Sequence, residues 1–174
     1  MTSKTLLFAF VIILGLFAEN VGAADAPDGF AGIPWGTSRD EAVQEMLKKP
    51  GVTKMSGDTP GRESFIGGTF ADYPVRVWGL EFTSDGKLSR GAVVIKATAD
   101  RDGGFTAVKR LITQKYGVAN SNSKRGNEAK AIWRGGKDKK TIIELETNSG
   151  GGGPKLTYRN DSLEAAKPGS KKDI

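Results

Sequence analysis

The chain reads as an α+β domain, a curved antiparallel sheet of about six strands with two helices packed on one face. Two stretches alone carry apolar residues at helical spacing. After each of them come runs rich in β-branched and aromatic residues, parted by Gly- and Asp-containing turns. One run, Thr141-Ile-Ile-Glu-Leu-Glu146, sets Thr141, Ile143 and Leu145 on one side and Glu144 and Glu146 on the other. That alternation belongs to an antiparallel sheet with one wet face. Two helices cannot cover both faces of such a sheet, so they share one.

The elements follow in order. Thr37 and Ser38 are good helix caps, and Ser38 with Glu41 has the spacing of a capping box. Ala42, Val43, Met46 and Leu47 then form an apolar stripe, and Pro50-Gly51 stops the helix. Strands are expected over Arg62–Thr69, Tyr73–Thr83 and Leu88–Thr98, with Ser84-Asp-Gly-Lys87 as a hairpin turn between the last two. A second helix is expected over Phe105–Tyr116, with Phe105, Val108, Leu111, Ile112 and Tyr116 on one face and Gly117 as its terminator. Three more strands are expected: Glu128–Arg134, Lys140–Thr147 and Lys155–Asn160. Gly150–Gly153 precedes Pro154-Lys155 and a strand rather than a helix, so it is a hairpin connection and not a phosphate loop. Helix, strand, strand, strand thus occurs twice, which points to a duplicated αβββ unit. Trp78 and Trp133 fall on apolar strand faces and are expected as core anchors, with Trp35 sealing the end of the sheet.

Residues 1–23 have the three parts of a secretory signal: Lys4, an unbroken apolar run from Leu6 to Ala18, and small residues up to Ala23. Thirteen apolar residues rise about 20 Å as a helix, short of the roughly 30 Å hydrocarbon core. Cleavage after Ala23 is expected rather than stable membrane insertion, and no cysteine follows the cut to carry a lipid. Residues 24–160 then form one domain, and 161–174 a flexible tail.

The 174 residues include no histidine and no cysteine. Ser-His-Asp and Cys-His nucleophile systems, haem attachment and the usual zinc sites are therefore closed, and no cofactor is expected. Charge divides unevenly. Residues 24–104 carry ten Lys/Arg against twelve Asp/Glu, and residues 105–174 carry fifteen against seven. The basic half can draw an anionic envelope component or an acidic partner protein, whereas nucleic acid is not an expected partner of an exported chain.

Lys130, Arg134, Lys155 and Arg159 occupy the strand face opposite the expected core. With Lys137, Lys139 and Lys140 in the adjoining turn, they would form one basic stripe if the strands pair as a meander. They are the candidate binding residues. Glu144 and Glu146, about 7 Å apart by strand geometry, fall within the range of glycosidase carboxyl pairs. Cation partners on neighbouring strands fit them better, as cross-strand ion pairs.

Phe30-Ala-Gly-Ile-Pro-Trp-Gly-Thr-Ser38 resembles the opening of small bacterial envelope proteins that begin G-I-x-W-G-T-S, and Lys115-Tyr-Gly117 resembles the end of their second helix. The order of helix then sheet resembles BamE-like and β-lactamase-inhibitor-like domains, and this likeness implies action by binding other proteins. The expectation is a non-enzymatic periplasmic or secreted binding module. The alternatives are a carboxylate-dependent envelope hydrolase and an inhibitor of a secreted enzyme.

Overall fold

A computed structural model describes residues 27–57, 59–96, 101–135, 140–147 and 153–164. The expected signal peptide, Lys137, Lys139 and residues 165–174 of the expected tail lie outside the described residues. The chain opens with a small hairpin, β1 (Gly29–Phe30) and β2 (Ile33–Pro34), followed by helix α1 (Arg39–Leu47). Strands β3 (Val52–Lys54), β4 (Arg62–Gly67), β5 (Thr69–Phe70), β6 (Tyr73–Phe82) and β7 (Leu88–Ile95) complete the first half. Helix α2 (Arg101–Tyr116) leads into β8 (Ser121–Arg125), β9 (Glu128–Gly135), β10 (Thr141–Glu146) and β11 (Lys155–Asn160), and α3 (Asp161–Glu164) follows.

The fold is α+β, but the main sheet has nine strands rather than about six. Its order is β3-β4-β6-β7-β11-β10-β9-β8, with β5 paired to β6 beside that path. Every pairing is antiparallel. The additional strands, β3, β5 and β8, have two to five residues and little apolar content. Ladder hydrogen bonds define them, and hydrophobic period does not. β6 carries register shifts at Val75/Val77 and at Glu81/Phe82, bulges of the kind that bend a strand and increase its twist.

One face of the sheet carries the core. Phe65, Trp78, Val93, Leu156, Leu145 and Ala131 stand directly opposite one another from β4 to β9, and all are buried. Ala42 and Met46 of α1 and Val108 and Ile112 of α2 pack into the same cluster. Both long helices therefore lie on this face. The indole N–H groups of Trp78 and Trp133 donate to the carbonyls of Gly67 and Gly117, at 2.9 Å each. A buried indole needs such a partner, and both tryptophans are the core anchors expected of them. Trp35 packs against the cluster and donates to Pro27 O at 3.2 Å.

The opening motif forms more than a lead-in to α1. Ala31 and Gly32 both have positive φ, which lets two residues close the β1–β2 hairpin. Phe30 then inserts between Trp78 and Tyr158, with ring centroids 6.1 and 5.6 Å away. Beneath it lies Gly91, where a Cβ would come within 2.0 Å of the Phe30 ring. Only glycine allows that approach. After the hairpin, Gly36 N–H donates to Leu88 O and Leu88 N–H to Thr37 O, both at 2.9 Å. At the start of α1, Glu41 Oε2 accepts from Ser38 Oγ at 2.6 Å and from Ser38 N–H at 3.3 Å, the expected capping contact.

α1 is also held by charge. Glu63 of β4 points to the core face and is 3% exposed. Arg39 reaches its Oε1 at 2.5 Å, and Lys54 reaches Oε2 at 2.9 Å.

Candidate functional site

The second face of the sheet bears the candidate site, and its register follows from the strand pairings. One row runs Arg62, Glu81, Arg90, Arg159, Ile142, Arg134 across six strands. At a strand spacing near 4.8 Å, that row is about 24 Å long. A second row runs Val77, Val94, Lys155, Glu146, Lys130, Ser123. Between them lies Ser64, Gly79, Ala92, Thr157, Glu144, Ile132, a band mostly of small residues. α3 meets this face through the ion pairs of Glu164 with Arg90 and of Asp161 with Arg159.

All four candidate cations share this face. Lys130 and Arg134 come from β9, Lys155 and Arg159 from β11, and β10 runs between them. They frame the carboxylates of Glu144 and Glu146 instead of forming an unbroken stripe. Lys130 Nζ donates to Glu144 Oε1 and, at 3.1 Å, to Glu146 Oε1. The bond to Glu144 raises the Lys130 ammonium above its ordinary value, against the opposing effect of desolvation. Burial by itself would push Glu144 up, yet hydrogen bonds and the charges of Lys130 and Arg159 hold it below the usual carboxylate range. Both groups are therefore ionised at neutral pH. Arg159 Nε lies 3.3 Å from Asp161 Oδ1.

Arg62 and Arg90 extend the same face into the first half of the chain, and the sequence reading did not include them. Their polarity in an otherwise apolar alternation was visible. The joining of β7 to β11, which lines Arg90 up with Arg159, was not. Like charges directly opposite are unfavourable. Three carboxylates relieve this pair: Glu81 at 3.5 Å and Glu164 at 2.8 Å from Arg90, and Asp161 beside Arg159. The last two belong to α3, whose start is set by Asn160 Oδ1 accepting from Ser162 N–H at 3.1 Å and Leu163 N–H at 3.2 Å.

Towards the β8 edge an open groove of about 480 Å³ is lined by Ser123, Arg125, Glu128, Lys130 and Glu146, with Ala129 and Thr147. No group of three metal-ligating side chains occurs among the described residues. Among the same residues, no helix is long and apolar enough to cross a membrane.

No family model matches the chain, and no curated protein matches it. Among solved structures, the chain is similar to a DUF4309 family protein (YjgB) from Bacillus subtilis. The TM-score is 0.47 at 12% identity, with 79% of this chain and 88% of that chain covered.

Proposed function

We propose that the protein is a non-enzymatic binding module of the bacterial envelope. Its N-terminal signal exports it to the periplasm or beyond, and it holds a partner protein on the uncovered face of its sheet. One observation carries this reading: both long helices pack on one face, while the other presents small and aliphatic residues between two charged rows. A face of alternating cations and carboxylates around a half-buried centre suits a protein surface better than a uniformly anionic polymer. An anionic envelope component is the second occupant to test. The recurring order, a helix followed by antiparallel strands, supports reading the halves as copies of one unit.

The rival reading, a carboxylate-dependent hydrolase, needs one carboxyl to keep its proton near neutral pH. Lys130 holds Glu144 in the opposite state. An inhibitor of a secreted enzyme would be a particular case of the binding module, recognised by saturable one-to-one binding.

Capture of partners from envelope extract at low and high salt tests the proposal. Replacing Lys130, Arg134, Lys155 and Arg159 together by Gln should reduce specific capture about tenfold. Arg134→Gln with Lys155→Gln is the milder companion, since it leaves the Lys130–Glu144 bond in place. Unchanged capture by both folded variants would remove this face from the binding site. Captured material that is wholly anionic glycolipid and lost at high salt would replace the protein partner by the envelope component.

A further inference from the structure

β8 is a strand without a packing reason. None of its five side chains is buried, and among the described residues its ladder partner is β9 alone. α2 packs on β9 and β10. An element that buries nothing gains little from the hydrophobic effect, and every second residue of an edge strand directs its N–H and C=O outward. The opposite edge differs. β3 has three residues, buries Val52, and has α1 against it. Among the described residues, the sheet therefore has one backed edge and one open edge.

The open edge is basic. The β8–β9 hairpin, residues 121–135, carries Lys124, Arg125, Lys130 and Arg134 against the single carboxylate of Glu128. Lys124 stands opposite Ala129 on the core side of the sheet, and Arg125 stands opposite Glu128 on the other side. The groove lined by Ser123, Arg125, Glu128, Lys130 and Glu146 runs alongside, with Lys130 engaged by Glu144 and Glu146, so the basic character of the edge rests on Lys124 and Arg125. Three residues before the strand, Val118 is 82% exposed, an apolar contact left in solvent.

We propose that β8 is a strand-addition site for an extended acidic segment of a partner protein. The segment adds a further strand to the sheet by main-chain hydrogen bonds. Two consecutive acidic residues, which point to opposite faces of a strand, meet Lys124 on one face and Arg125 on the other. A second copy of this chain is a poorer occupant. Antiparallel pairing of two β8 strands about Ser123 would set Lys124 against Asn122 and Arg125 against Ser121, gathering four cations with no carboxylate between them on the strands. The main-chain edge of β8, with Lys124 and Arg125, is not used by the sheet-face reading, so the titration of that edge tests this site apart from that reading.

The probe is a blocked hexapeptide, Thr-Val-Glu-Asp-Val-Thr, titrated into the isotopically labelled protein at low salt. Its counterpart has Lys-Lys in place of Glu-Asp. The acidic peptide should bind at least tenfold more tightly, with amide shifts confined to residues 118–125 and the facing part of β9. Lys124→Glu with Arg125→Glu should reverse the preference between the two peptides. Equal affinities for the unaltered protein, or shifts away from β8, would overturn the site. A concentration-dependent dimer abolished by the same double variant would overturn the acidic occupant in favour of a second copy.

Discussion

Glu63 sits almost entirely out of water, and two cations meet it there. Burial alone would raise its carboxyl, but hydrogen bonds from Lys54 and Arg39 outweigh that effect and hold it below its ordinary value of 4.5. A folded-state value below the unfolded one contributes stability at pH above about 4.5, and that stability is lost as pH falls through the folded value. Glu63→Gln should cost about 1.5–3 kcal/mol at pH 7, the range for hydrogen bonds to charged groups. It should also flatten the fall in urea midpoint as the pH drops below about 4.5. An acid limb as steep as that of the unaltered protein would assign the acid sensitivity to other carboxylates. Nothing in the local sequence marks Glu63 as buried, because its two partners lie on α1 and β3 and the contact is made only by folding. Trp78 and Trp133 were legible for the opposite reason, since each stands in its own strand's apolar alternation.

At the scale of elements, the β1–β2 hairpin acts as a plug whose residue next to the turn, Phe30, needs the absence of a side chain at Gly91. Gly91→Ala should destabilise the protein by about 3 kcal/mol, the upper part of the usual range for overpacking. Combining it with Phe30→Leu should cost less than the sum of the two single changes. Additive urea midpoints would show that the added methyl does not meet the ring. The two long helices and the six longest strands lie where the hydrophobic periods put them, apart from α2, which begins at Arg101 rather than Phe105. Gly103 and Gly104 argue locally against that first turn, which is why the hydrophobic period alone places the start later. β8 reads as Ser-Asn-Ser-Lys-Arg, a sequence with no strand signal of its own, and its neighbour β9 makes it a strand.

For the whole molecule, the seam is the pairing of β7 with β11, which joins two antiparallel halves into one sheet. Leu156 lies on that seam, fully buried between Val93 and Leu145. Leu156→Ala should cost about 2–5 kcal/mol. It should lower hydrogen-exchange protection in β4 and β6 as much as in β9 and β10, with one unfolding transition. Loss confined to residues 101–164 would mean that the halves unfold separately. The candidate site divides along the same line. Which face each of Lys130, Arg134, Lys155 and Arg159 occupies follows from strand alternation within a single strand. That Arg90 and Arg62 continue the row of Arg159 and Arg134 depends on pairing between residues almost seventy positions apart, Arg90 with Arg159, which no local pattern encodes.

The strand at the middle of the sheet, β11, is also the last strand of the described chain to be synthesised. Until residues 155–160 exist, β7 and β10 each wait with an open edge, and the earlier half has no counterpart to close upon. Joining of the two half-sheets therefore waits for residues 155–160. A chain cut short before Lys155 would hold two unjoined half-sheets, open to proteases, so truncated products would be distinguishable from finished ones by their folding alone.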